Sequence, residues 1–168
     1  MESLIYLAPV VGVIALIFAL FLSKKVSRED EGTDRMKEIA AAISDGAHAF
    51  LTAEYKILVI FIIVLFVLIA LGIGVKSGIA FVLGTLCSIL AGYFGMSVAT
   101  KANVRTANAA RTGGMNRALS IAFSGGAVMG MSVVGLGLLG VSIVYMVTGD
   151  TNVLFGFSLG ASSVALFS

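Results

Sequence analysis

Five stretches of this chain contain no Asp, Glu, Lys or Arg: Leu4 to Leu22, Ile57 to Val75, Ser77 to Thr100, Ala118 to Gly149, and Asn152 to Ser168. About 20 helical residues, rising 1.5 Å each, cover the ~30 Å hydrocarbon core of a bilayer. A charge at mid-bilayer costs roughly 2.5 to 3.5 kcal/mol on insertion scales, so its absence from windows of this length predicts five membrane-spanning helices. Strand-type alternation is missing, which leaves helices as the spanning element. The chain is 12% charged and 59% apolar with a mean hydropathy of +1.09, whereas about a quarter of the residues of a soluble domain are charged. The expected fold class is therefore all-α, a polytopic transmembrane helix bundle.

The first window lacks a basic leader and a small-x-small exit site, so it reads as a retained anchor ending at Lys24-Lys25 rather than a cleaved signal. With a single Cys, Cys87, inside a span and a single His, neither a disulfide framework nor a soft-metal site can be assembled. The expected surroundings are the lipid bilayer, and no nucleic-acid partner is expected.

Cations gather on the cytoplasmic side of membrane proteins. Of the 11 Lys and Arg residues, all but Lys76 fall in the segments 23–56 and 101–117. Five spans then fit one orientation, with the N-terminus outside and those two segments cytosolic. The second segment carries Lys101, Arg105, Arg111 and Arg117 and no acid. It reads as an unneutralised, topology-setting patch facing anionic lipid and cytosol, or as a rim that draws an anionic substrate to the membrane. Lys101, Arg105 and Asn108 share one helical face, and Gly113-Gly114 is expected to break the helix.

Within 23–56, the turn "SREDEGTD" precedes an expected amphipathic helix, 34–54, with Thr33 or Asp34 as N-cap. Met36, Ile39, Ala40, Ile43, Ala47, Phe50 and Leu51 fall within one arc, and Lys37, Glu38, Asp45 and His48 project from the other side. Such a helix can lie along the membrane or pack under the bundle. His48 is expected to be a solvated surface residue.

The first two windows are built from large aliphatics and Phe and look lipid-facing. The third and fourth carry small residues every four positions: Ala80, Gly84, Ser88, Gly92 and Ala118, Ala122, Gly126, Gly130. The fifth has Gly156 and Gly160. In lipid, helices associate largely through such close-packing faces, so the last three spans are expected inside a bundle larger than this chain supplies. The last window, 152–168, ends without a cation or aromatic belt and is expected to be incomplete, the chain being an N-terminal fragment.

Three strings, "MKEIAAAISDGAHAFLTAEYK" (36–56), "GMSVATKANVRTANAAR" (95–111) and "GFSLGASSVALFS" (156–168), resemble in order and spacing the opening of the membrane-bound, ion-translocating pyrophosphatases. The match covers essentially the whole chain and about a quarter of a family member. Small departures, such as Asp45 where the family often has Glu, leave the resemblance intact. It implies a homodimer, with both ends of each subunit outside and an inner helix ring around a catalytic funnel. It also implies an enzyme that hydrolyses Mg-pyrophosphate at the cytosolic face and exports protons or sodium ions, Mg2+ being required and K+ in some members. Such chemistry needs an Asp cage for Mg2+ and Lys residues on the phosphates, and the family's residues for it would lie beyond Ser168. No catalytic or metal residue is expected in this chain, and the fragment alone should be inactive. Leu159 matches a family position that constricts the conduction path, although a leucine there would serve equally as packing. A plain start suits a prokaryotic plasma membrane.

Two other readings compete. A proteolipid-like ion carrier needs a carboxylate at mid-membrane, and every acid here lies outside the uncharged windows. A small non-enzymatic multi-pass protein would end its fifth span properly.

Overall fold

The computed structural model describes residues 6–166; positions 4, 5, 167 and 168, at the limits of the first and last windows, lie outside it. Among the described residues there are four helices and no strand: α1 (Leu7–Ser27), α2 (Asp34–Gly72), α3 (Val75–Thr148) and α4 (Thr151–Ala165). The all-α expectation is met. Three helices, α1, α2 and α3, are long and apolar enough to cross a membrane. The 15-residue α4 is shorter than a span, and α3, at 74 residues, contains both the third and the fourth window.

The sequence explains the two long helices. α2 opens on Thr33, whose Oγ1 accepts from Met36 N at 3.4 Å, with Asp34 in the first turn complementing the helix dipole. The amphipathic stretch 34–54 and the window 57–75 are then one continuous rod as far as Gly72, because no proline interrupts them. Its buried residues are Leu51, Glu54, Leu58 and Ile69, whereas Ile60, Ile63, Val64 and Leu68 are exposed, which suits a helix with its outer face in lipid. His48 is exposed, its ring centroid 6.5 Å from that of Tyr93.

The segment 101–117 is not a separate connection. Its Ala, Lys and Arg residues favour helix and carry the third window's helix onward to 113, where Gly114 takes φ 76° and ψ −178° and a second limb runs over 115–148. That combination of φ and ψ is essentially confined to glycine and costs another residue roughly 1 to 3 kcal/mol, so Gly114 permits the break at which the chain reverses and the two limbs pack against each other, Gly125 on Ala102 and Gly95 on Met129.

α1 runs antiparallel to the second limb. A core of Ala19, Leu22 and Val26 from α1 meets Val98, Ala102 and Ala109 of the first limb and Ala118, Ile121 and Val128 of the second. α4 runs parallel to the first limb and packs Val153 and Phe157 against Ala80 and Val144. Backbones touch there: a methyl added at Gly84 would overlap the Phe157 carbonyl, and one at Gly160 the Phe81 carbonyl. This is the close approach that small residues permit in lipid.

The two small-residue stripes fare differently. Ala80 and Gly84 are buried, but of the fourth window's stripe only Ala118 is; Ala122, Gly126 and Gly130 face outward. The second limb packs through Ile121, Gly125, Val128, Ser132 and Gly135 instead. A strict four-residue step drifts ~40° around the helix each time, whereas alternating steps of three and four hold one face.

Candidate functional site

The polar residues that the apolar windows exclude converge where α1 ends, α2 begins and α3 kinks. The linker 28–33 lies across α3, and Arg105 grips it. Its Nε donates to the Glu29 carbonyl at 3.0 Å, and its Nη2 donates to the Ser27 carbonyl at 3.4 Å and to Glu31 Oε1 at 2.7 Å. Nη1 donates to the Lys101 carbonyl at 2.8 Å. The Arg105 side chain is 9% exposed and that of Glu31 42%, so one partner is buried and the other keeps much of its hydration.

Asn108, one turn further along α3, is buried and donates from Nδ2 to the Asp30 carbonyl at 3.2 Å, while its Oδ1 accepts from Arg111 Nη2 at 3.0 Å. Beyond the kink, Arg117 Nη2 reaches Glu29 Oε2 at 2.9 Å. The linker is therefore held from both limbs of α3, by Arg105 before Gly114 and by Arg117 after it. Asp30 closes a turn by accepting the Gly32 N–H at 3.0 Å. That backbone hydrogen bond, helped by the Asn108 side chain and by the charges of Lys37 and Arg111, holds its carboxyl below the usual aspartate range.

The four cations thus separate. Lys101 and Arg111 are exposed, with Arg111 donating to Asn108, whereas Arg105 and Arg117 face the chain's own glutamates. The patch is half neutralised: Arg105 and Arg117 find counter-charges in Glu31 and Glu29, which lie 74 and 88 residues away in sequence. The signal available to sequence reading was an acidic run, Glu29 to Glu31, in a segment expected on the same side of the membrane as the acid-free basic one. Shared helical face was a sound guide for Arg105 and Asn108, which act together. Glu54 was missed as a structural residue: it is 8% exposed, on the α3-facing side of α2.

Leu159 is half-buried on α4, beside the packed ridge of Gly156, Gly160 and Ser163. Its carbonyl accepts from Ser163 Oγ at 2.7 Å, the local bonding expected of serine in a glycine-rich helix; Ser162 is exposed.

The carboxylates present do not fit a multi-metal cage. Among the described residues no three of His, Cys, Asp and Glu come together to hold an ion, and Glu29 and Glu31 are engaged by arginines. What the junction can do chemically is fix geometry, since two cations and three linker residues hold the kink.

Over residues 13–168 the chain matches the family described as inorganic H+ pyrophosphatase. It is 56% identical over 169 residues to a putative K(+)-stimulated pyrophosphate-energized sodium pump of Clostridium tetani, covering 100% of this chain and 25% of that protein. It is 47% identical over 170 residues to a K(+)-insensitive pyrophosphate-energized proton pump of Methanosarcina mazei, covering 100% and 25%. A K(+)-stimulated pyrophosphate-energized sodium pump of Thermotoga maritima is 40% identical over 188 residues, with 98% and 26% covered. The chain spans about a quarter of the length of these relatives.

Proposed function

This chain belongs to the inorganic H+ pyrophosphatase family, and from that premise we propose that it forms the N-terminal membrane portion of a pump that hydrolyses Mg-pyrophosphate and exports H+ or Na+. The observation that carries the reading is 56% identity along 100% of the chain to a relative named as a pyrophosphate-energized pump. An open apolar recess of about 300 Å³, lined by Cys87, Ser88, Gly92, Met129, Gly137 and Ala161, is consistent with it, because such small-residue surfaces suit further helices.

In this reading the chain supplies scaffold rather than chemistry. The kinked α3, locked to the linker, holds α4 against both of its limbs, and α4 joins the helices that surround the ion path, with Leu159 at a constriction. Mg2+ and its Asp ligands belong to the remainder of the pump, as does any K+ requirement. The subunits pair as a homodimer in a prokaryotic plasma membrane. The N-terminus is outside and Lys101, Arg105, Arg111 and Arg117 are cytosolic, an orientation supported by the Lys24 and Lys25 that end α1.

The test uses inverted membrane vesicles carrying the full-length protein. Magnesium and pyrophosphate should drive acidification or sodium uptake, whereas the purified 168-residue chain should release no phosphate. Magnesium-dependent phosphate release by that chain, or failure of ion uptake by the full-length protein, would overturn the proposal. Orientation is checked with a Cys at the exposed Ala107: an impermeant thiol reagent should reach it only from the cytosolic side, and labelling of intact cells from outside would reverse the topology.

A further inference from the structure

Beside the linker, a second polar space opens between the first turns of α2 and the end of the uncharged run of α3. It is a recess of about 250 Å³ lined by Lys37 and Ser44 from α2, Thr100, Lys101 and Arg105 from α3, and Glu31 from the linker. Its charges are unevenly committed. Glu31 is bound to Arg105 at 2.7 Å, so that pair is internally balanced. Lys37 forms an ion pair with Asp34, at 3.4 Å, whose side chain is fully exposed, and its charge also acts, with that of Arg111, on Asp30; surface pairs of this kind contribute about 0 to 1 kcal/mol and give way readily. Lys101 is exposed and forms no ion pair among the described residues. Counting Asp34, the recess keeps one net positive charge, that of a counter-site for a single phosphodiester.

Its height in the membrane is set by the sequence. The uncharged run of α3 ends at Thr100, so Lys101 marks the level at which hydrocarbon gives way to headgroups. On the same end of α2, Ile39, Ile43 and Phe50 are 46 to 51% exposed, an apolar surface suited to acyl chains.

We propose that this recess is a phosphate-binding site at the cytosolic membrane surface, occupied by the headgroup of an anionic phospholipid. Lys37 and Lys101 contact the phosphate oxygens, and Ser44 lines the wall. Arg105, with four of its five N–H donors already engaged and its charge balanced by Glu31, forms part of the wall. The inference goes beyond the pump reading, since it concerns lipid and stands whether or not the chain hydrolyses anything.

The test is native mass spectrometry of the full-length protein, purified in detergent and titrated with phosphatidylglycerol and, separately, phosphatidylcholine. Phosphatidylglycerol should bind preferentially, and the double variant Lys37→Gln/Lys101→Gln should weaken it about 30-fold, given ~1 kcal/mol per lysine at an anionic surface. The control Lys24→Gln/Lys25→Gln removes the same charge from α1 and should leave that preference within about 2-fold. Inorganic phosphate and pyrophosphate at millimolar concentration form a third arm. Displacement of the lipid by either, lost in the Lys37/Lys101 variant, would keep the phosphate site but assign it to a soluble anion. Equal binding of both lipids without phosphate binding, or equal loss in the two double variants, would overturn the proposal.

Discussion

Replacing Arg105 with Met keeps the length and much of the volume of the side chain and removes its charge and donors. The structure sets the cost. The Lys101 carbonyl lies within α3 and retains helical bonding, so its loss matters little. The carbonyls of Glu29 and Ser27, at 3.0 and 3.4 Å, and Glu31 Oε1, at 2.7 Å, lose a cationic donor. Hydrogen bonds to a charged group contribute about 1.5 to 3 kcal/mol each when buried. Here the 3.4 Å contact is long and Glu31 is 42% exposed, so solvent recovers part of the loss and the ion pair itself contributes no more than ~1 kcal/mol. The total is about 3 kcal/mol, roughly a 100-fold shift toward the unfolded state. The assay is unfolding of the detergent-solubilised chain in increasing SDS, followed by circular dichroism, with limited proteolysis of the linker as a local readout. Glu31→Gln alone should cost ~1 kcal/mol, and adding it to Arg105→Met should cost little more, because the two residues share one interaction. Arg105→Lys should recover less than half of the loss, because one ammonium cannot span three acceptors set by a planar fork. Stability of Arg105→Met within ~0.5 kcal/mol of the parent, with an equally protected linker, would refute the claim that the junction is a load on the fold.

Gly160→Ile should force α4 off α3, because its Cβ meets the Phe81 backbone, and should cost more than ~3 kcal/mol in the same titration. Gly126→Ala, with nothing within 4 Å of the added methyl, should be neutral or stabilise by up to ~1 kcal/mol through helix propensity. At Gly114, Ala would adopt φ 76° and ψ −178° at a cost of about 1 to 3 kcal/mol, or shift the start of the second limb and release Arg117 from Glu29; increased proteolysis of the linker reports the second outcome. Asp30 gives a pH signature. Its folded pKa is depressed, chiefly by the Gly32 N–H, so its contribution is complete above the ordinary aspartate value of ~3.9 and is lost as pH falls through the lower folded value. Linker protection should fall below about pH 4, and Asp30→Asn should flatten that dependence; an unchanged acid profile would contradict the assignment.

How much of this was legible from residues alone follows from the range of the interactions involved. Helix content was readable because it depends on hydropathy over ~20 neighbours, and the cap of α2 was readable to within one residue, Thr33 or Asp34, because it needs only the next three residues; the structure places it at Thr33. The kink at Gly114 was readable from a Gly-Gly pair. The inward face of the second limb was not: the eye finds repeats of four, and the packing follows alternating three and four, visible only once α1 supplies the opposing surface through Gly12 and Leu16. The role of Arg105 was hidden for a related reason. A guanidinium one turn from Lys101 looks like another surface cation until the linker is folded over it. Glu54 illustrates the opposite limit, since its neighbours in sequence place it at a boundary while its helical face turns it toward α3.

The linker's grip on both sides of the kink has a consequence for biogenesis. Glu29 and Glu31 leave the ribosome long before Arg105 and Arg117, so α1 and α2 are made while the acidic turn between them still waits for its partners. The later arrival of two arginines then ties an early-made turn to a helix made some 74 to 88 residues afterwards, so the contact that holds the linker is one of the last this chain can complete.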